Sequence, residues 1–422
     1  MHSTSANSTA EIPPPGTPSK RTVRVAYFVS HPIQYQVPLL RRIAQEPDIN
    51  LTVFFSSDQS VRGYMDSGFG VHVQWDVPLL DGYKYEFLPR LGDGDELGFA
   101  KPLNWGIFNR LRKGRFDVAW VFSYSTLASL NAVFAAKLLG IPVILRTESN
   151  LHDHVRSRMT LAAKRVFFRI LRSATNCVLP IGKDNGEYWE HYFGRDFPSF
   201  TMPYSVDNDF FQRKAQEAAP HREDFRRQLG LEPGRPVILY ASKLQTRKRC
   251  IDLVEAYIRL APGPDVEPPA YLLIVGDGEE RANLETRVRE SGLSSIRFLG
   301  FRNQTELPRF YDLCDVFVLP SYDETWGLVV NEVMNAGRSV IVTDQVGCQP
   351  DLVHDGVNGF VYPAFDVDAL SQSLRRLVGD QSLRATMGEN SLRIITQHSF
   401  EQNVAGLRQA LDHMIPGFAS RR

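Results

Sequence analysis

The chain has 422 residues, more than one hydrophobic core usually organises, so its length favours two domains. Its 48 basic and 48 acidic residues give a formal net charge of zero, which argues against nucleic acid as a partner. The four cysteines are scattered without any Cys-x-x-Cys spacing. This pattern argues against a disulfide framework and a structural zinc site, and it is typical of a reducing compartment.

The first 20 residues are rich in Ser, Thr and Pro and contain no apolar run. Such a segment is typical of a disordered tail and not of a signal peptide. No part of the sequence reaches the ~18 consecutive apolar residues that span a bilayer. We therefore expect a cytoplasmic protein that is at most peripheral at the inner face of the membrane.

Short apolar runs alternate with segments of helical length in both halves of the chain. The runs cover residues 23–29, 51–55, 117–122, 142–146 and 176–180 in the first half, and 236–241, 271–275, 296–299, 315–319 and 339–343 in the second. Most of them are continuously apolar, as strands are when helices cover both faces of a parallel sheet. Each half therefore predicts a doubly wound α/β unit.

These patterns divide the chain into segments. After the tail at 1–20, an N-terminal Rossmann-like domain is predicted at 21–206 and a C-terminal one at 235–395. The stretch 207–234 between them is rich in charge, Gln and Ala, and we interpret it as a linker. The last segment, 396–422, contains an amphipathic helix that can cross back to the first domain.

The helix predicted at 159–172 has two distinct faces. Apolar residues recur at helical spacing at Met159, Ala162, Ala163, Val166, Phe167, Ile170 and Leu171, with Lys164, Arg165, Arg169 and Arg172 on the other face. One interpretation is a core helix whose basic face is solvated. The other is a docking face for anionic lipid or for a charged acceptor.

Two carboxylates, Glu324 and Glu332, flank the start of a predicted helix that follows the apolar run at 315–319. Because open parallel sheets bind ligands at the carboxyl ends of their strands, both side chains are expected at that edge of the second sheet. A carboxylate there can accept hydrogen bonds from both hydroxyls of a ribose. Backbone N–H groups at the helix N-terminus would face phosphate or sugar oxygens, at Thr325, Trp326, Gly327 and Leu328.

This segment resembles the Glu-x7-Glu motif of the retaining glycosyltransferases of family 4, which have the GT-B fold. The resemblance continues into 242–248 and 275–279 upstream and into 347–353 and 355–360 downstream, in the family's order. It implies an α/β fold in which two Rossmann-like, doubly wound domains face a central cleft. The first domain would hold the acceptor, and the second would hold a nucleotide-sugar donor.

The resemblance also assigns roles to individual residues. Glu324 would contact the donor sugar as a catalytic residue, and Glu332 would hold the ribose hydroxyls. Lys243 and Lys248 would bind the diphosphate, Lys248 with a catalytic part, although the family usually has Arg where Lys243 stands. Two cations and a helix N-terminus suffice to neutralise a leaving diphosphate, so we expect no metal ion and no other cofactor.

Two further donor candidates follow strands of the second half. Gly276 serves either a tight strand-to-helix turn or a close approach of the donor, and a lone G-x-G does not distinguish them. Phe301 follows the next strand and would flank the base.

The first half departs from the family pattern. The turn after its first strand has no glycine, and His31 and Gln34 there either touch the diphosphate or the acceptor or only pack the turn. Glu148 stands where the family often has a His, with His152 four residues later. Glu148 would orient the acceptor hydroxyl or receive its proton, or else it is a loop acid paired with Arg146. Which of Glu148 and His152 acts is left open.

The sequence thus predicts a retaining, hexosyl-type glycosyltransferase that moves a hexose or related sugar from a UDP or GDP donor to the hydroxyl of a glycan, a lipid-linked acceptor or a small molecule. A nucleotide-sugar epimerase or sugar-phosphate synthase on the same fold is an alternative enzyme. A non-catalytic nucleotide-sugar-binding protein is an alternative of another class. Nicotinamide-binding Rossmann proteins and P-loop hydrolases are disfavoured, since neither glycine motif is present.

Overall fold

The computed structural model of the chain describes residues 22–92, 96–151, 158–263 and 266–418. The tail predicted at 1–20 and the candidate His152 lie outside the described residues. Within them, two α/β units follow one another and meet across a cleft.

The strands of the described chain are mostly short and apolar. In chain order they are β1 (Val23–Val29), β2 (Ile49–Phe55), β3 (Tyr64–Asp66), β4 (Val71–Val73), β5 (Lys84–Phe87), β6 (Arg90–Leu91), β7 (Leu103–Asn104), β8 (Val118–Phe122), β9 (Val143–Arg146), β10 (Cys177–Val178), β11 (Val237–Ala241), β12 (Tyr271–Val275), β13 (Ile296–Gly300), β14 (Val316–Leu319), β15 (Ser339–Thr343) and β16 (Gly359–Tyr362).

The helices alternate with these strands. They are α1 (Val37–Ala44), α2 (Gln59–Arg62), α3 (Ile107–Gly114), α4 (Leu127–Leu138), α5 (Arg158–Ala174), α6 (Lys183–Phe193), α7 (Asn208–Ala218), α8 (Arg222–Gln228), α9 (Cys250–Ile258), α10 (Arg281–Ser291), α11 (Leu307–Leu313), α12 (Leu328–Met334), α13 (Gln349–Leu352), α14 (Val367–Gly379), α15 (Gln381–Ile395) and α16 (Phe400–Met414).

Each unit is built on a six-stranded parallel sheet. The strand order is β10-β9-β8-β1-β2-β5 in the first and β13-β12-β11-β14-β15-β16 in the second. Two small antiparallel hairpins, β3–β4 and β6–β7, belong to the first unit. The predicted fold class, two doubly wound α/β units of the GT-B type, is confirmed.

The central strands lie where their apolar sequences predict them. Every residue of β12 and of β15 is buried, because helices pack on both faces of the second sheet. The edge strands β5 and β16 were not predicted. β5 lies at the edge of its sheet, and its polar, largely exposed sequence lacks the apolar run of a central strand.

Residues 207–234, predicted as a linker, contain α7 and α8, which pack against α11 of the second unit. Phe211 is buried in the core of that unit, and the ring of Phe225 contacts that of Phe310 at 5.1 Å between centroids. This segment therefore belongs to the packing of the second unit.

Helix α16 packs on the first unit, although it follows the second unit in the chain. Val404, Leu407 and Leu411 are buried in the same core as strands β1 and β2. Arg408 on the same helix binds Asp48, with its Nη1 2.9 Å from Oδ2. The chain therefore crosses between the two units a second time before it ends.

Helix α5 buries only part of the apolar stripe that its sequence predicts. Leu171 of the stripe is buried, together with Phe168, which lies outside the stripe, whereas Val166 and Ile170 are 61% and 51% exposed. Ala162 and Ala163 are also exposed, so most of the predicted apolar stripe lies in solvent. The reason is that α5 packs on α6 through aromatic rings such as Tyr192, which stacks on Phe168 at 4.0 Å. No helix in the described ranges is long and apolar enough to cross a bilayer.

Candidate active site

The candidate site lies where the second sheet reverses its strand order, between β11 and β14. The loops that leave the carboxyl ends of these two strands run in opposite directions and open a crevice there. The first loop carries Lys243 and Lys248, and the second carries Glu324. Gly276 at the end of β12 has a φ of +139°, and a Cβ atom there would lie 1.9 Å from the carbonyl oxygen of Ser242. Only glycine allows this approach of the two loops.

Lys248 and Glu324 form a buried ion pair between Nζ and Oε2, with exposed fractions of 8% and 7%. The guanidinium of Arg247 lies 3.8 Å from the same carboxylate oxygen. Burial lowers the pKa of Lys248, and the charge of Glu324 acts to raise it again. A buried cation and anion are thus in contact at the crevice, and both have the charge that a sugar diphosphate would engage.

The backbone around Glu324 is fixed by its neighbours. Its carbonyl oxygen accepts a hydrogen bond from Gly347 at 2.8 Å, and helix α12 begins three residues after Thr325. Gly327 precedes α12 with a φ of +94°, and a Cβ atom there would lie 2.9 Å from Leu319. The Trp326 indole is buried and donates to Asn331 at 2.9 Å, so only the backbone of Trp326 is available to a donor. The predicted contacts at Thr325, Gly327 and Leu328 remain predictions.

A cavity of about 290 Å³ lies between the two units, and neither Lys248 nor Glu324 belongs to its lining. Its lining includes the predicted residues Gln34, Gly276, Phe301, Leu328 and Glu332. The Tyr311 hydroxyl donates a hydrogen bond to Glu332. Burial raises the pKa of Glu332 to about 7, while that hydrogen bond acts to lower it. This carboxyl therefore titrates near neutral pH at the wall of a cavity large enough for part of a nucleotide.

The structure does not place the two predicted phosphate-binding lysines on a common partner. Lys243 reaches across the cleft to Asp66 of the first unit, with Nζ 2.8 Å from Oδ1 and 3.0 Å from Oδ2. Lys248 instead contacts Glu324. In the described chain, each lysine therefore has its own carboxylate.

Glu148 lies at the end of β9, on the opposite side of the cleft. Its Oε1 accepts hydrogen bonds from the hydroxyls of Tyr35, at 2.9 Å, and of Tyr204. Arg146, considered above as its partner, donates to the carbonyl oxygen of Met202 at 3.0 Å. Two tyrosine hydroxyls therefore orient Glu148. Both bind Oε1, and neither of them binds Oε2.

His31 lies in the turn after β1. Its Nδ1 is 2.9 Å from the Ser30 hydroxyl, and burial lowers the pKa of His31 to about 4. The imidazole is therefore neutral at physiological pH. Gln34 from the same turn lines the cavity, whereas His31 does not belong to its lining.

Several residues of the site were not predicted from the sequence. Arg247 and Tyr311 lie beside the two motif carboxylates, and Arg247 falls within a stretch that the sequence already singles out. Asp66, Phe69 and Trp75 come from the β3–β4 hairpin and the residues after it. The only local signal for them is the Gly68-Phe69-Gly70 turn, which says nothing about a partner in the other unit.

Within the residues that the structure describes, no group of three or more His, Cys, Asp and Glu side chains is arranged to hold a metal ion. Two Asp-x-Asp sequences, at 207–209 and 366–368, have the spacing of some metal-binding motifs, but the first Asp of each caps a helix. Asp207 accepts from the N–H of Phe210, and Asp366 accepts from that of Ala369, each at 2.9 Å.

Comparison with known proteins identifies the family to which these features are related. The family model described as glycosyl transferases group 1 matches residues 221–393. The alpha-D-kanosaminyltransferase of Streptomyces kanamyceticus is 31% identical over 292 residues, which cover 66% of this chain and 72% of that protein. The D-inositol 3-phosphate glycosyltransferase of Stackebrandtia nassauensis is 29% identical over 63% of this chain and 61% of its own length, less than two thirds.

Solved structures share the fold. The structure of Alr3699/HepE from Anabaena in complex with UDP has a TM-score of 0.68 and 18% identity, over 93% of this chain and 99% of that one. At this identity the similarity supports the common two-unit architecture alone.

Proposed function

The chain belongs to the glycosyl transferases of group 1, and on that premise we propose that it moves a sugar from a nucleotide-diphosphate donor to an acceptor hydroxyl with retention at the anomeric carbon. The observation that carries this proposal is that one crevice edge of the second unit holds the Lys248–Glu324 pair, while Glu332 of the same motif lines the cavity between the units. One end of the site offers cations to a diphosphate, and the other offers a carboxylate to a ribose.

The donor would extend along the carboxyl edge of the second sheet. Its base and ribose occupy the cavity, with Phe301 against the base and Glu332 accepting from the ribose hydroxyls. Its diphosphate lies toward Lys248 and Lys243, and its sugar lies near Glu324. Either UDP or GDP fits this chemistry, because the residues that carry the proposal contact the ribose and the phosphates.

Transfer on one face of the sugar needs few protein groups. The bond between the anomeric carbon and the diphosphate oxygen breaks, and the acceptor oxygen forms its bond to that carbon on the same face. The acceptor proton passes to the leaving diphosphate. Lys248 stabilises the negative charge that grows on the leaving group, and Glu324 stabilises the positive charge on the sugar ring.

Glu148 faces this reaction from the first unit. Its contacts with Tyr35 and Tyr204 fix its position, so that it can hold an acceptor hydroxyl without moving. The acceptor is a glycan, a lipid-linked molecule or a small polyol, and the loops of the first unit select it.

The proposal is tested by incubating the protein with UDP- and GDP-sugars and an acceptor panel, and by measuring the release of nucleotide diphosphate. A donor that is consumed should give a product whose anomeric configuration, read by NMR before it can equilibrate, matches that of the donor. An inverted product would contradict the retaining mechanism. Binding of donors without any turnover would favour a nucleotide-sugar-binding protein.

The exposed face of α5 supports a peripheral contact with an anionic membrane. Val166 and Ile170 are exposed there together with Arg165 and Arg169, so apolar and cationic groups share one surface. The other two predicted basic residues point elsewhere. Lys164 lies 4.7 Å from the ring centroid of Tyr192, and Arg172 donates to the carbonyl oxygen of Phe193 at 2.7 Å.

A further inference from the structure

The β3–β4 hairpin of the first unit, together with the residues that follow it, lies against the donor side of the second unit. We refer to residues 64–76 as the strap. It contacts the second unit near both of its ends. Besides the Lys243–Asp66 pair, Asn303 donates to the carbonyl oxygen of Gln74 at 2.7 Å, and the backbone N–H of Thr305 lies 3.2 Å from Asp76 Oδ2.

Asp66 is held as an anion at the head of the strap. The residue is 8% exposed, and its carboxylate accepts hydrogen bonds from the backbone N–H groups of Gly68, at 2.8 Å, and Phe69, at 2.9 Å. Burial acts to raise the pKa of Asp66, but these hydrogen bonds and the ammonium of Lys243 outweigh it and hold the pKa below its ordinary value. A carboxylate held in this way resembles a phosphate group, because it is negatively charged and its oxygens accept hydrogen bonds from backbone N–H groups and an ammonium.

The turn of the strap is shaped around Lys243. A Cβ atom at Gly68 would lie 2.7 Å from Cδ and 2.8 Å from Nζ of that lysine, so the lysine passes directly over a residue without a side chain. The Phe69 ring covers the same ammonium at 4.7 Å from its centroid. Lys243 is therefore enclosed by the strap on more than one side.

The strap also closes the nucleotide cavity. Phe69 and Trp75 line it, and Phe69 meets Phe301 edge to face at 4.8 Å between ring centroids. Phe301 is the residue proposed to flank the base. The wall opposite the second sheet is thus supplied by the first unit, through aromatic rings that suit contact with a base.

We propose that the strap is the second half of the donor site. Phe69 closes the cavity over the nucleoside, and Asp66 stays paired with the Lys243 ammonium until the diphosphate of a donor displaces Asp66 from it. This inference rests on the proposed nucleotide-diphosphate donor. One ammonium cannot neutralise a carboxylate and a diphosphate fully at the same time, so binding of the phosphates has to displace or weaken the Lys243–Asp66 pair. Ligands without phosphates leave the pair intact.

Calorimetry with Asp66→Asn tests whether Asp66 competes with the diphosphate for Lys243. UDP or GDP, whichever binds the wild type, should bind the variant about three- to tenfold more tightly, because Lys243 is no longer engaged. The affinity for uridine or guanosine should not change. Asp81→Asn is the matched control, since it removes an exposed carboxylate of the same unit that lies outside the strap, and it should leave both affinities unchanged. Equal or weaker diphosphate binding by Asp66→Asn would overturn the competition.

The aromatic part is tested by Phe69→Ala, which should weaken nucleoside and nucleoside diphosphate alike by about tenfold, the scale of one base–aromatic contact. Phe99→Ala, at a phenylalanine that is 62% exposed and does not line the cavity, should leave both affinities unchanged. Unchanged binding by Phe69→Ala would remove the strap from the donor site.

Hydrogen exchange of the wild-type protein provides a test that needs no variant. At equal saturation, the peptide containing the Gly68 and Phe69 amides should exchange faster with the nucleoside diphosphate than with the nucleoside. The same exchange with both ligands would contradict displacement of Asp66. If the wild type binds neither UDP nor GDP, the donor assignment itself fails; if it binds one of them and Asp66→Asn is indifferent, only the inference about the strap fails.

Discussion

The ammonium of Lys248 contacts the carboxylate of Glu324 in the crevice between two parallel strands, and both residues are buried. The pair couples the charge proposed to meet the diphosphate with the charge proposed to meet the sugar. Binding of a donor has to redistribute this contact, because the phosphates offer Lys248 a second anion. Substitution of Glu324 should therefore lower turnover alone, whereas substitution of Lys248 should lower both turnover and diphosphate binding.

Glu324→Gln keeps the size of the side chain and removes its charge. We expect turnover to fall by about two orders of magnitude, the scale of losing one electrostatic contact in the transition state. Nucleoside diphosphate binding should stay near that of the wild type, since Glu324 is assigned to the sugar. Steady-state kinetics together with calorimetry measure both quantities. A loss of diphosphate affinity as large as the loss of turnover would contradict the assignment.

Lys248→Ala should damage binding and turnover together. The diphosphate is charged in the ground state, and its charge at the leaving oxygen grows as the bond breaks. We expect nucleoside diphosphate affinity to fall about tenfold or more, since hydrogen bonds to charged groups contribute about 1.5–3 kcal/mol. Because the substitution leaves Glu324 buried without this partner, thermal unfolding has to show that the variant is folded. Normal diphosphate affinity in a folded variant would exclude Lys248 from the phosphate site.

The elements of the proposed donor half of the site can be predicted from local sequence, but the contacts across the cleft cannot. An apolar run that ends in Pro320 and is followed by two carboxylates eight residues apart predicts a strand, a loop and a helix, and the structure has them in that order. The contact of Lys243 with Asp66 joins residues 177 positions apart in different units. Nothing in the turn around Gly68 indicates which surface it meets, because that depends on how the two units pack.

Helix α5 shows a second limit of sequence patterns. The hydrophobic spacing places Val166 and Ile170 on the core-facing stripe with Leu171 and leaves out Phe168, but Leu171 and Phe168 are the buried pair. The neighbouring helix determines which side is buried, because Tyr188 and Tyr192 on α6 pack against the ring of Phe168 and lie under the ammonium of Lys164. Tertiary packing therefore turns Val166 and Ile170 outward.

The exposed face of α5 predicts electrostatic binding to membranes. Sedimentation with anionic vesicles should decrease with added salt and with Arg165→Glu and Arg169→Glu together, since each basic side chain near such a surface contributes about 1 kcal/mol. Arg289→Glu and Arg393→Glu together are the control for net charge, because both residues are exposed on the other unit. Equal binding to neutral and anionic vesicles would leave these arginines as solvated surface residues.

Activity is expected to survive chelation. Lys243, Arg247 and Lys248 bring three cationic side chains to the proposed diphosphate site, which supplies the charge that a divalent ion would otherwise contribute. Turnover measured with and without EDTA, and after addition of magnesium or manganese, should be the same. An enzyme that EDTA silences and either ion restores would refute this expectation.

The pH dependence of donor binding should report Glu332. Its pKa of about 7 lies above the ordinary 4.5, so between these values the folded chain binds a proton that the unfolded chain has released. The free energy of unfolding therefore falls as the pH rises from 4.5 to 7. The loss of stability that comes from ionising the buried Glu332 is complete above pH 7. Ribose hydroxyls donate hydrogen bonds and favour the ionised carboxylate, so the donor should bind more tightly as the pH rises toward 8.

Calorimetry with the nucleoside diphosphate at pH 6 and pH 8 measures this effect. At pH 6 only about a tenth of Glu332 is ionised, so wild-type affinity should fall by about tenfold beyond the change that protonation of the ligand itself causes. Glu332→Gln isolates the ligand's part, because it cannot titrate and still presents an oxygen to the ribose. Equal pH dependence in the two proteins would mean that the ribose does not select the ionised carboxylate, and the assignment of Glu332 to the ribose would be wrong.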